Sequence, residues 1–406
     1  MGFQQGLSGL NAASKTLDVI GNNVSNANTV GFKQSRAEFA DVYAASLTGG
    51  GASNVGIGTN VANVAQQFVQ GNITSSNNAL DIAINGNGFF RMSSGGEITY
   101  TRNGQFHMDK QGFIVNSQGS KLTGYTANSA GVLSTGAPQE FNLNTADLQP
   151  SPTSSISATI NFDSRKTAIA TAFNPDDPST YHNTAAATAF DSLGNEHNIQ
   201  SYFVKTGAGV WDVYNTVDGV STTTPPTATA TLTFDGTGAA PTVVPASATV
   251  SFNPTTGANP VSFSLNYSNS TQFGSDFSVT KPVQDGFASG SLASFDTSPD
   301  GTIVGRYTNG QSKTLGQLVL ASFVNPNGLK SLGGNTWTVS SESGPPSVGA
   351  PATGGLGVLQ SSAVEDSNVD LTGQLVEMIT AQRLYQANAQ TIKTQDQVLQ
   401  TLVNLR

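Results

Sequence analysis

The last stretch of the chain, LVEMITAQRLYQANAQTIKTQDQVLQTLVNLR from Leu375 to Arg406, contains neither glycine nor proline, although the whole chain carries 44 and 17 of them. So long a run without a helix breaker, rich in Gln, Ala and Leu, predicts one uninterrupted α-helix. Asp370 is the expected N-cap. From there to the end the helix would run about 50 Å at ~1.5 Å per residue. Leu375, Met378, Gln382, Tyr385, Ala389, Ile392, Asp396, Leu399 and Val403 recur at alternating intervals of three and four, the spacing of a coiled-coil seam. Val376, Leu384, Val398, Leu402 and Leu405 form a second stripe. A helix that is apolar on two faces is buried by more than one neighbour.

The start of the chain offers one such neighbour. In MGFQQGLSGLNAASKTLDVIGNNV, Phe3, Leu7, Leu10, Ser14 and Leu17 follow a 4-3-4-3 spacing, Val24 lies one heptad on, and Ile20 sits beside the seam. This too is an amphipathic helix. If the two terminal helices pair, the second stripe of the tail calls for another molecule. The candidate packing residues are therefore Phe3, Leu7, Leu10, Leu17, Ile20 and Val24 on the first helix. On the last they are Leu375, Val376, Met378, Ile379, Leu384, Tyr385, Ile392, Leu399, Leu402 and Val403.

Between the helices the chain reads as β-rich. QSRAEFADVYAASL places Phe39, Val42, Tyr43 and Leu47 at helical spacing, which predicts a short helix ended by TGGGAS. NVGIGTNV reads as extended. ALDIAI (Ala79–Ile84) alternates like a strand, NGNG turns the chain, and FFRM follows. Asn-Gly and Gln-Gly then punctuate a meander. From about Thr145 the composition shifts to Thr, Ala, Pro and Ser around short strands such as SYFVK, TATLTF and VSFSLNY, which suits a β-sandwich or barrel. From about Val283 the earlier character returns. The expected fold class is multidomain α+β: terminal helices (1–28 and 366–406) forming a coiled-coil-like domain, and two mainly β domains. A linker region (29–72) leads to a middle β domain (73–145 and 283–362), into which the second β domain (146–282) is inserted. Gly49–Gly51 and Gly354–Gly357 read as flexible joints.

Several chemistries are excluded by what the chain lacks. A net charge of −9, with Arg165, Lys166 and Lys205 the only basic residues between Tyr125 and Thr280, leaves no cationic surface for nucleic acid. There is no cysteine for a thiol nucleophile or a Cys-ligated metal. His107, His182 and His197 stand in no metal-ligand spacing, and no G-x-S-x-G elbow or complete phosphate-binding glycine motif occurs. Asp176–Asp177 precedes a proline and reads as a solvated loop. No catalytic, metal or cofactor site is expected. The longest apolar stretch, Leu315–Val324, is far short of a membrane span of roughly 20 residues. The N-terminus does not read as a secretory signal peptide, since its first basic residue is Lys15 and no compact apolar run follows.

SGLNAASKTLDVIGNNVSNANTVGFK (Ser8–Lys33) resembles the N-terminal signature of the flagellar rod, hook and hook-associated protein family. SNVDLTGQLVEMITAQRLYQANAQTIKTQDQVLQTLVNLR (Ser367–Arg406) resembles the matching C-terminal signature. ALDIAINGNGFF, TRNGQF and LTGY resemble the first β domain of rod and hook subunits, and the large insert sets the chain apart from the shorter rod members. The resemblance implies an inner tube of terminal helices, a middle β domain, and the inserted domain outermost. It implies export through the flagellar type III apparatus without a cleaved signal, and self-assembly outside the cell into a curved tube that carries torque from rod to filament. Rod, hook-cap and hook–filament junction proteins are the implied partners, with no nucleic acid and no direct membrane insertion. A distal-rod or junction subunit is the near alternative. An extracellular carbohydrate-active β protein is the alternative of another class, and it would need an aromatic cleft with paired carboxylates.

Overall fold

The computed structural model describes residues 2–42, 56, 58–280 and 282–404. Within these residues the chain divides into two compact units. Unit 1 comprises residues 1–144, 295–305 and 313–406, and unit 2 comprises 145–294 and 306–312. The helical, linker and middle β regions separated in the sequence reading thus share one unit.

Unit 1 begins and ends in helix. Helix α1 spans Gly2–Ser25 and helix α2 spans Leu371–Asn404. Asp370 caps α2: its Oδ1 accepts the Thr372 amide at 3.0 Å. After α1 come strands β1 (Ser35–Val42) and β2 (Gly58–Gln66), an antiparallel pair with a register shift at Glu38/Phe39. The helix expected around Phe39 and Val42 is therefore a strand. Its weak helical spacing yields to long-range pairing along the whole of β2, because β structure is decided by cross-strand partners. Tyr43, Leu47 and Gly49–Gly51 lie outside the described residues.

Strand β3 (Ile73–Ser75) pairs with Ala363–Glu365, and β4 (Ile82–Asn85) pairs with Val358–Ser361, so the segment before α2 lies against the segment that follows β2. β4 is buried on both faces rather than one, with Ile82, Ala83 and Ile84 all inside. Strands β5 (Phe89–Ser94) and β6 (Glu97–Thr101) form the centre of an antiparallel sheet that continues through Lys121–Thr126 on one side and Thr336–Thr338 on the other. Its core is Ile82, Ile84, Phe90, Met92, Phe106, Leu122, Phe141 and Leu318. The segment Gly354–Gly357, expected to be a flexible joint, is a tight turn in this domain. Gly354 and Gly355 take left-handed φ of 58° and 82°, Leu356 is buried, and the Gly357 amide donates to Asn87 O at 2.7 Å.

Among the described residues unit 2 holds two larger sheets and a third, three-stranded one that orders Thr271–Phe273, Ile160–Asp163 and Ser278–Val279. One of the larger sheets orders the strands Asn183–Phe190, Glu196–Gly207, Val210–Val217, Ala230–Thr233 and Thr242–Val244. The other contains Ala248–Phe252, Val261–Asn266, Ser155–Ser157 and Val283–Gln284. One apolar core draws on both, with Phe203, Trp211 and Leu232 from the first and Ile156, Val250 and Phe263 from the second. Entry and exit lie side by side: the Leu148 amide donates to Gly290 O at 2.8 Å.

Candidate assembly surface

The paired terminal helices run antiparallel. A Cβ built on Gly6 would lie 3.0 Å from Ile392 Cγ1, and one on Gly9 would lie 2.7 Å from the Asn388 side chain. At the other end, Asn23 Nδ2 donates to Gln374 Oε1 at 2.9 Å and to Ser35 O at 2.8 Å, while Asn23 Oδ1 accepts the Ser35 amide. Ala13 and Ile20 are buried on α1, and Gln374 and Ala381 on α2, with Asn388 and Ile392 half-buried. The contact line is thus Gly6, Gly9, Ala13, Ile20 and Asn23 against Gln374, Ala381, Asn388 and Ile392. Small residues let the backbones approach closely, so they set the contact line and the bulky residues are turned aside.

This placement rotates the large side chains outward. Phe3 and Leu7 are exposed, and Leu10, Leu17 and Val24 are half-buried. Ile20 is the exception on α1: at 3% exposure it is enclosed within its own chain and is withdrawn from the outward face. On α2, Leu375, Val376, Ile379, Leu384, Tyr385, Leu399 and Val403 are exposed, with Val376 at 60% and Val403 at 73%. Met378 and Ile392 are half-buried. The Leu402 side chain lies outside the described residues. No helix among the described residues is long and apolar enough to cross a membrane.

The base of the helix pair is held by a buried ionic cluster that no local sequence pattern marks. Lys33 Nζ lies 2.6 Å from Glu365 Oε1 and also donates to Val69 O at 2.9 Å. Arg102 Nη1 reaches Glu365 Oε2 at 3.2 Å, and Arg102 Nη2 donates to Gly86 O at 2.8 Å. The Gly71 amide adds a bond to Glu365 Oε1 at 2.9 Å. All three charged side chains are almost wholly enclosed. Burial pushes the Lys33 ammonium below its ordinary value, against the pull of Glu365 toward the charged form, and burial lowers Arg102 likewise. Gly31, at φ 70°, donates its amide to Glu365 O at 2.8 Å; a Cβ there would sit 2.5 Å from the Asn103 amide nitrogen. The cluster ties five pieces of chain together: the exit of α1, the segment after β2, the turn after β4, the turn after β6 and the entry to α2.

An aromatic cluster fixes the same region. Phe68 meets Phe89 and Trp337 edge to face at centroid distances of 5.3 and 5.4 Å, and Trp337 Nε1 donates to Gln66 Oε1. The segment expected to be a linker is therefore anchored at Lys33, Gln66, Phe68 and Val69.

A long antiparallel helix pair with outward apolar side chains, rooted in a β domain into whose sequence a second β unit is inserted, is the plan of an axial protein of the bacterial flagellum. Four family models match in chain order: "Flagella basal body rod protein" at residues 3–33, "Flagellar hook protein FlgE/F/G D1 domain" at 83–170, "Flagellar basal body protein FlaE D2 domain" at 161–287, and "Flagellar basal body rod FlgEFG protein C-terminal" at 360–405. The chain is 43% identical over 413 residues to the flagellar hook protein FlgE of Escherichia coli K12, covering 100% of both. It is 32% identical over 444 residues to that of Borreliella burgdorferi, covering 99% of this chain and 98% of the relative. The chain belongs to the flagellar hook protein family. Its fold is similar to the crystal structure of Helicobacter pylori flagellar hook protein FlgE2, with a TM-score of 0.54 at 14% identity, covering 72% of this chain and 100% of that one.

Proposed function

We propose that this hook subunit polymerises through its terminal helices into a curved, flexible tube, a universal joint that passes torque from the motor rod to the filament. The observation that carries the reading is the outward row of Val376, Ile379, Leu384, Leu399 and Val403 on a helix already paired with α1. Each such side chain gains roughly 1.5–3 kcal/mol when fully covered. A helical lattice covers them by heterologous contacts, which repeat without closing. The Lys33–Glu365–Arg102 cluster supports the same reading, because it fastens the helix pair to the β domain and gives load a stiff path between them.

In this reading the helices form the inner-tube domain, the region around β1 and β2 the linker, the sheet of β5 and β6 the middle domain, and unit 2 the outer domain. The subunit is a structural, non-catalytic protein that leaves the cell through the flagellar type III apparatus without a cleaved signal. It meets rod, cap and junction proteins at the ends of the tube. Removal of Leu371–Arg406 tests the polymerisation. The truncated protein is expected to stay in the supernatant under conditions that pellet the whole chain as tubes. Tubes formed by the truncated protein at the same concentration would refute it.

A further inference from the structure

Helix α2 outruns α1. Gly6 lies against Ile392, so at about 1.5 Å per residue the start of α1 at Gly2 reaches only the level of Asp396. The remaining turns of α2, to Asn404, have no helix beside them among the described residues. Leu399 and Val403 continue the 3-4 stripe of Ile392 and Asp396 onto this overhang, and both are exposed.

At the other end of the pair, a groove of about 490 Å³ opens between α1, α2 and β1. Ile20 and Ala381 line its inner side, and the exposed Phe39 and Leu384 its rim. Arg36 and Glu377 are its charged residues. Lys393 and Asp396 are the charged residues at the start of the overhang. All four are exposed, and none forms a salt bridge among the described residues. Glu377 and Asp396 accept only side-chain amides of their own helix, Gln374 and Gln400.

The two surfaces match in order as well as in kind. Reading along the direction of α2, the groove presents Arg36 and Glu377 beside Val376 first, and the apolar Phe39, Ala381 and Leu384 next. The overhang presents Lys393 and Asp396 first, then Leu399 and Val403. We propose that the overhanging end of α2 from one copy lies in this groove of the next copy, with the two α2 helices parallel and shifted by roughly 27 Å at ~1.5 Å per residue. Lys393 then faces Glu377, Asp396 faces Arg36, and Leu399 and Val403 cover the apolar part of the groove. This docking rests on the reading of the chain as a polymerising hook subunit.

The full chain has no cysteine, which makes the contact directly testable. Leu399→Cys and Thr380→Cys change exposed positions and are prepared separately, mixed, polymerised on tube fragments and treated with a mild oxidant. Disulfide-linked dimers of the two variants should exceed those from either variant alone by about tenfold, because the lattice holds the two thiols at high effective concentration. Glu377→Lys or Lys393→Glu alone should slow tube growth at low salt by about fivefold, and the two together should recover it, as a direct charge pair requires. Tubes that form without mixed disulfides, or single charge reversals that grow like the unaltered chain, would overturn the docking and leave the hook reading standing. Failure of the unaltered chain to form tubes at all would overturn the hook reading itself.

Discussion

Lys33 Nζ and Glu365 Oε1 lie 2.6 Å apart across 332 residues of sequence, both side chains closed to solvent. Arg102 shares the same carboxylate. Two buried cations thus share one anion, and its loss is the most damaging single change available there. Glu365→Gln is expected to destabilise unit 1 by about 3–5 kcal/mol, the cost of leaving buried charge uncompensated. Lys33→Met should cost less, because Glu365 keeps Arg102 and the Gly71 amide. The chain's two tryptophans separate the units: Trp337 belongs to unit 1 and Trp211 to unit 2. Urea titration of single-tryptophan variants should move the Trp337 transition and leave that of Trp211 in place. Equal shifts in both would contradict the local role of the cluster.

The helix pair makes a second, residue-level prediction. Gly9 has the Asn388 side chain where a Cβ would go, whereas nothing lies within 4 Å of a Cβ at Gly21. Gly21→Ala should therefore stabilise α1 by about 0.5–1 kcal/mol, the helix-propensity gain over glycine. Gly9→Leu should force the helices apart and lose more than that gain. Thermal melts followed by circular dichroism would read both signs, and a Gly9→Leu variant that melts higher than the unaltered chain would refute the close approach.

Unit 2 should be acid-sensitive through Asp163. The Arg165 side chain grips this carboxylate with Nε at 2.8 Å and Nη2 at 3.0 Å, and the Arg165 amide adds a third bond at 2.9 Å. These bonds hold Asp163 well below its ordinary 3.8, at about 2. A carboxylate depressed in the folded state contributes stability above its unfolded value, and that stability is lost as pH falls through the folded value. The contribution should therefore fade between about pH 4 and 2. Trp211 fluorescence in urea across that range should show it, and Arg165→Ala should flatten the dependence. An unchanged profile in Arg165→Ala would assign the acid sensitivity elsewhere.

The paired entry and exit of unit 2 predict that it can be removed. Leu148 and Gly290 exchange amide–carbonyl bonds at 2.8 and 3.2 Å, so a short Gly/Ser bridge can join them without strain. The shortened chain should keep the Trp337 environment and, on the proposed reading of unit 2 as the outer domain, still assemble but as straight tubes, since curvature would then be set by the part that is gone. Electron microscopy decides: normally curved tubes would remove unit 2 from any role in shape.

The sequence made the helices and the Asp370 cap legible, because each is marked by local chemistry: absent breakers and a capping carboxylate. Two features were not legible. The contact line between the helices is drawn by Gly6, Gly9 and Ala13, and a hydrophobic pattern gives no weight to glycine, so Phe3 and Leu7 looked like the seam. The Lys33–Arg102–Glu365 cluster depends on pieces of chain that only the folded β domain brings together. Phe39 failed for a related reason: its strand is defined by β2, not by its own neighbours.

The central claim is that apolar side chains left outside the helix pair exist to bind other copies. The most direct test is seeded polymerisation of Leu375→Asp/Ile379→Asp, at two positions of α2 that are exposed in the single chain, Ile379 at 52%. The soluble variant should match the unaltered chain in circular dichroism and in both tryptophan transitions, yet remain in the supernatant after sedimentation. A variant that pellets as curved tubes at the concentration that suffices for the unaltered chain would contradict the account.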